Sequence, residues 1–207
     1  MNIGSTRKDY KNQKLIFDDI DDPLIKFHQW YTDAQKKVSE PNAFALSTSN
    51  QNTPSSRMML LKEYGETFVF YTNNSSKKAS DIMQNKNASI LFWWKEIHRQ
   101  IRIDGKLKKI DKKRVEKYFY SRPIESQIGA LISDQSKPIK SYNLLIDKYL
   151  ATIKKYKNKK IPFPKNWIGI ELMPKKIEFW QGGEFRIHQR LEFNKRGKKW
   201  NQKILSP

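Results

Sequence analysis

The chain has 207 residues, 37% hydrophobic and 13% aromatic, with 41 Lys and Arg against 21 Asp and Glu for a formal charge of +20, and no cysteine. That length and ring content favour one medium packed domain over a disordered chain. The missing cysteine removes disulfides, thiolate catalysis and cysteine metal sites, and it fits a reducing compartment.

Residues 1–20 read as a flexible N-terminal arm and 21–207 as a single domain. Met1 to Lys14 is polar and lacks the apolar stretch of a secretory signal. Asp21-Asp22-Pro23 is a helix start, an acidic cap followed by proline in the first turn. Leu24, Phe27, Tyr31, Ala34 and Val38 then recur at helical spacing. Strands follow over 43–48, 57–62 and 67–72, then a short helix over 76–85 and strands over 88–94 and 100–110. Helices are expected at 111–120, 123–131 and 141–156, and strands at 167–173, 177–180, 185–194 and 199–205. Strands in runs, with helices inserted between them, point to an antiparallel barrel with helices packed around it, a mainly β, α+β architecture.

The longest strongly apolar run, Ile90 to Trp94, is too short to span a bilayer. The expectation is a soluble, cytoplasmic chain without a membrane partner. Nor is nucleic acid an expected partner. The positive excess is nearly all lysine, scattered among Asn and Ile as at Lys154-Lys155, Lys157 and Lys159-Lys160. Nucleic-acid readers lean on arginine forks. Arginine is scarce, with nine in all, so each is a candidate for a task needing its planar geometry.

Three constellations could carry chemistry. Tyr71-Thr72-Asn73-Asn74-Ser75-Ser76-Lys77-Lys78 runs from strand through polar loop into a helix. It reads as a phosphate cradle or as an ordinary serine-capped helix with solvated lysines. Tyr118 and Arg122 share a helix face, and Ser126 falls in the first turn of the helix after Pro123. That corner suits a second phosphate or is a turn closed by a salt bridge. Strand periodicity would put Arg186, His188 and Arg190 on one face, beside Trp180-Gln181-Gly182-Gly183. Such a face is wetted surface or meets an anionic ligand. The three histidines show no ligand spacing, so no metal is expected.

Taken together, Arg57-Met58-Met59-Leu60-Leu61-Lys62, Phe70-Tyr71-Thr72-Asn73, Arg122 to Ala130, Gln135-Ser136, Glu178 to Arg190 and the ending Leu205-Ser206-Pro207 resemble the pyridoxamine/pyridoxine 5′-phosphate oxidases in order and spacing. The resemblance runs from about Arg7 to Pro207. It implies an FMN-binding split β-barrel that forms a homodimer with flavins at the interface. Arg57, Met58, Met59, Leu60, Leu61, Lys62, Tyr71, Thr72, Lys77, Lys78 and Gln100 would hold FMN from one subunit, and Gln135, Ser136, Trp180 and Arg190 from the other. Lys62, Tyr118, Arg122 and Ser126 would clamp the substrate phosphate. Arg186 and His188 would lie over the substrate ring as the catalytic pair, and Arg7 and Tyr10 would close over it. Lys77 departs from the family, which has arginine there, so the fork is lost.

The implied reaction oxidises pyridoxamine or pyridoxine 5′-phosphate to pyridoxal 5′-phosphate. FMN accepts the hydride and oxygen is reduced to hydrogen peroxide; the amine passes through an imine to aldehyde and ammonia. The alternative reading is a flavin-binding protein of the same barrel fold without oxidase activity.

Overall fold

The computed structural model describes residues 10, 15–17 and 20–207. Helix α1 (Pro23–Lys37) begins as the sequence predicts, with the Asp22 carboxylate accepting from the Leu24 amide at 2.8 Å. Its inward face carries Phe27, Trp30, Tyr31 and Ala34. Strands β1 (Ala43–Asn50), β2 (Thr53–Leu60), β3 (Glu63–Tyr64) and β4 (Phe68–Asn73) lead into helix α2 (Lys77–Gln84). Strands β5 (Asn87–Trp94) and β6 (Arg99–Lys109) come next, then helices α3 (Lys112–Ser121), α4 (Ile124–Ile132) and α5 (Tyr142–Tyr156). The chain ends in β7 (Trp167–Gln181), β8 (Gln189–Arg196) and β9 (Lys199–Leu205).

Every strand pairing is antiparallel, in the order β2-β1-β5-β6-β7-β4-β3. Strands β8 and β9 continue from the second half of β7. The sheet curls over itself. Although β5, β6 and β7 lie between β1 and β4 in this order, the rings of Phe44 and Phe70 from those two strands meet at 5.7 Å. The run from β2 to β3 joins the same two strands: the Leu61 amide donates to the Asn42 carbonyl at 2.8 Å and the Lys62 amide to the Val69 carbonyl at 2.9 Å. The result is the mainly β barrel with peripheral helices that the strand runs predicted.

The alternation that makes these segments strands also fills the interior. Phe44 and Leu46, Phe68 and Phe70, Ile90 and Phe92, Ile101 and Ile103, and Ile170 and Leu172 are all fully buried. Each such side chain contributes roughly 1.5–3 kcal/mol. A second apolar cluster joins α3, α4 and the start of β7 through Val115, Phe119, Ile128, Ile132 and Trp167. No helix among the described residues is long and apolar enough to cross a membrane.

Three expectations need correcting. The strands expected at 167–173 and 177–180 are one, β7, which runs through Pro174. Proline cannot donate to a ladder, but a bulge lies beside it: Asp104 pairs with Lys176 and Gly105 with Pro174, so Lys175 of β7 is the extra, unpaired residue. A Cβ at Gly105 would overlap the Met173 carbonyl, so that bulge requires glycine. Strand β2 starts at Thr53 and ends at Leu60, four residues earlier and two residues shorter at its end than predicted. Finally, the strand expected from Phe185 starts only at Gln189. Glu184–Arg186 forms a tight turn, with Phe185 at φ 53° and Arg186 at φ 66°. Arg186, His188 and Arg190 therefore do not share a strand face. Within the stretch read as an arm, Ile16 is buried, and its carbonyl accepts from Lys26 Nζ at 2.7 Å.

Candidate active site

A cavity of about 480 Å³ opens where β2, β4, α3 and α4 meet. Met58, Met59, Leu60, Lys62, Tyr71, Thr72, Tyr118, Arg122, Ser126 and Gln135 all line it, so the second sequence-predicted phosphate constellation and the strand end of the first share one cleft, while Lys77 and Lys78 lie outside its lining. Trp167, Asn73 and Gly129 complete its wall.

One side of the cleft is set by the start of α2. Ser76 caps the helix, placing Lys78 in its first turn and turning it inward. Lys78 Nζ donates to Gln135 Oε1 at 2.9 Å and to Thr72 Oγ1 at 3.2 Å, both uncharged acceptors. Burial and the nearby Arg57 guanidinium push it down to about 8. The resemblance assigned Gln135 to the partner subunit, yet here it bonds Lys78 and Thr72 of its own chain. Ser136 follows, exposed, at φ 69°. Leu61 is buried in the barrel core rather than in the cleft.

Arg57 and Lys77 stand behind this wall on Asp81, a buried carboxylate the sequence reading missed. Asp81 accepts from Thr48 Oγ1 at 2.8 Å and Ser55 Oγ at 2.7 Å, and pairs with Lys77 at 3.3 Å and Arg57 at 3.5 Å. Its carboxyl is held below the usual range: those hydroxyls and Lys77 outweigh the opposing effect of burial. The i,i+4 spacing of Lys77 and Asp81 was the available signal.

The opposite side is set by the corner between α3 and α4. Arg122 terminates α3, and its guanidinium lies 4.8 Å from the Trp167 ring. Its Nη1 is buried without a hydrogen-bond partner. Burial lowers Arg122, and burial together with Arg122 lowers Lys62. Both groups thus gain if an anion enters.

The remaining predicted residues form a second group. Gln100, Trp180 and Arg190 are cross-strand partners in a row over β6, β7 and β8, with Trp93 at the β5 end and its ring 5.9 Å from Trp180. Arg190 Nε donates to Glu178 at 2.8 Å and its Nη1 to the Ser206 carbonyl at 2.9 Å. His188 packs on Trp180 at 4.8 Å, and its Nδ1 accepts from the Gly183 amide at 3.1 Å. Burial and Arg186 lower His188 below the usual imidazole value. Arg186 is exposed. Tyr10 lies 4.4 Å from His98 and 6.1 Å from both Trp180 and His188. His98, passed over in the sequence as an isolated histidine, sits at φ 53°. Arg7 lies outside the described residues. This group borders a second, open cavity of about 620 Å³ beside the exposed Phe185 and Ile187.

The two groups stand at opposite ends of one strand. Trp167 of the cleft and Trp180 of the second group begin and end β7, separated by about 40 Å of extended backbone.

The donor set fits a flavin phosphate and a second anionic group. It offers a buried lysine with only uncharged acceptors, a buried guanidinium nitrogen with no partner, and a lysine beside that guanidinium.

Comparison with known proteins agrees in each part of the chain. Residues 32–156 match the family described as pyridoxamine 5′-phosphate oxidase, and residues 167–207 match the pyridoxine 5′-phosphate oxidase C-terminal dimerisation region. The chain is 41% identical over 209 residues to the pyridoxine/pyridoxamine 5′-phosphate oxidase of Acaryochloris marina, covering 99% of this chain and 95% of that protein. It is 44% identical to the enzyme of the same description from Leptospira biflexa, over 90% of this chain and 89% of that one. Among solved structures it resembles PhzG from Burkholderia lata 383, in complex with tetrahydrophenazine-1-carboxylic acid, at a TM-score of 0.86 and 25% identity, covering 92% and 95% of the two chains.

Proposed function

The chain belongs to the pyridoxamine 5′-phosphate oxidase family, and from that premise we propose that two copies bring their separated half-sites together around FMN and a phosphorylated B6 vitamer. The activity is oxidation of pyridoxine and pyridoxamine 5′-phosphate to pyridoxal 5′-phosphate. Bound FMN would supply the acceptor for the hydride equivalent lost from the 4′ carbon, with oxygen as the final two-electron acceptor and hydrogen peroxide as its product.

The protein contributes position and charge. Lys78, Thr72 and Gln135, backed by Arg57 and Lys77, hold the flavin phosphate. Lys62, Tyr118, Arg122 and Ser126 hold the substrate phosphate. Trp180 and Arg190 of a second copy cover the flavin, together with Gln100, which the resemblance gave to the first copy but which pairs with Trp180 across β6 and β7. His188 accepts from the Gly183 amide through Nδ1, so its neutral ring carries the proton on Nε2 and presents a donor there. Arg186 beside it supplies positive charge, and Tyr10 of the 1–20 arm closes over both.

The observation that carries this reading is the buried, unpartnered Arg122 Nη1 in a cleft also lined by Lys62 and by Thr72 and Gln135, the two residues that Lys78 bonds from behind. Binding flavin alone needs one phosphate site, whereas this cleft has two cationic walls. The test is spectroscopic. The purified protein should be yellow and should bleach anaerobically on addition of pyridoxamine 5′-phosphate. A flavin that keeps its colour under those conditions would contradict the oxidase reading.

A further inference from the structure

We propose that Glu63 and Arg114 form a strut that positions the substrate-phosphate clamp; this rests on the reading of Tyr118 and Arg122 as that clamp. Arg114, Tyr118 and Arg122 recur at every fourth position, so they form one stripe of α3 and its C-cap. Each meets a different strand of the barrel wall. Arg114 Nη2 donates to Glu63 Oε2 on β3 at 2.6 Å. The Tyr118 ring stacks on Tyr71 of β4 at 4.0 Å and 12°. The Arg122 guanidinium lies over Trp167 of β7.

Glu63 also reaches the middle of this stripe. Its Oε1 accepts from the Tyr71 hydroxyl at 2.7 Å. One carboxylate therefore holds the first residue of the stripe directly and the second through the ring stacked on it. The Tyr71 hydroxyl is spent on this bond, so Tyr71 serves the cleft through its ring. The two charges reinforce each other: Arg114 and Tyr71 draw Glu63 below the usual carboxylate value despite burial, and Glu63 raises Arg114. With Glu63 anchored on the barrel, α3 has a fixed register against it, and Tyr118 and Arg122 inherit that register one and two turns on.

Glu63 and Arg114 are 39% and 45% exposed, which sets a modest scale for the effect. The test is equilibrium titration of the flavin-loaded protein with pyridoxal 5′-phosphate and, separately, with phosphate-free pyridoxal. Glu63→Gln and Arg114→Met should each weaken the phosphorylated ligand roughly three- to fivefold. Pyridoxal affinity and FMN retention should stay unchanged, and the double variant should lose no more than either single one. Unchanged affinity for the phosphorylated ligand, or an equal loss for both ligands, overturns the strut. Arg122→Met, titrated in parallel, separates this from the underlying reading. If it too leaves the phosphorylated ligand unaffected, the clamp assignment falls; if it alone weakens that ligand, only the strut does.

Discussion

Lys78 and His188 are both basic side chains whose charged forms are opposed by burial and by a neighbouring arginine, yet their surroundings are built differently. Lys78 is held by its own chain: a helix start, a threonine and a glutamine, the last two lining the cleft that Arg122 also lines. His188 sits on a tight loop whose neighbours Phe185, Arg186 and Ile187 face solvent. Phe185 and Arg186 hold left-handed backbone conformations there, which cost non-glycine residues energy and persist where the surroundings impose them. On the proposed reading, the first region is a finished binding wall and the second is half of one. That difference accords with a C-terminal stretch that matches a dimerisation region, and with the some 40 Å of backbone along β7 between the two regions.

The comparison can be broken from either side. The largest effect belongs to the unfinished half. His188→Ala or Arg186→Ala should lower turnover roughly 10²-fold or more while FMN affinity moves little. Steady-state rates and a flavin titration decide this, and near-normal rates in both variants would remove their role. Next comes the finished wall. Arg122→Met should raise the Michaelis constant for the phosphorylated substrate by on the order of 10²-fold with a smaller change in turnover. A loss of flavin retention alone would mean that the two phosphate positions are exchanged.

The smallest effect is a pH dependence at Lys78. Its folded value, about 8, lies below the ordinary 10.5. Below pH 8 both folded and unfolded chains carry the charge, so the folded state bears the full desolvation cost. That cost is relieved as pH rises from about 8 towards 10.5, so the flavin-free protein gains stability over this window. Anion binding runs the other way, because it needs the charged lysine. FMN affinity should be fullest below pH 8 and fall by up to about tenfold per pH unit above it. Lys78→Met should bind FMN more weakly and lose that added slope. Fluorescence titration across pH 7–10 measures both, and an identical slope in the variant would dismiss Lys78 as its source.

Local chemistry made much of the first region legible in the sequence. The i,i+4 pair of Tyr118 and Arg122, the proline that restarts the helix, and the serine cap before Lys77 and Lys78 each act over a few residues. The scarcity of arginine also pointed inward, and further than expected. Arg114 and Arg99, to which the resemblance gave no ligand role, are tied to Glu63 and to Asp33. Glu63 and Asp81 stayed hidden because their partners come from separate strands and helices. The second region misled for a physical reason. Phe185 to Arg190 alternates like a strand, and nothing in residue type announces two left-handed non-glycine residues in succession. Strand β7 was cut at Pro174 because proline reads as a strand break, and the bulge at Lys175 that accommodates it exists only in the register with β6.

The central claim is that each active site takes one wall from one copy and the other from its partner. The most direct measurement mixes two impaired variants, Arg122→Met and His188→Ala, under conditions that exchange subunits, with the phosphorylated substrate held far below the raised Michaelis constant of Arg122→Met so that each variant alone turns over little. Hybrid dimers would carry one site with both walls intact, so activity should recover to about a quarter of that of the unmodified protein at statistical mixing. If both walls come from the same copy, exchange restores nothing and the mixture stays as inactive as its components.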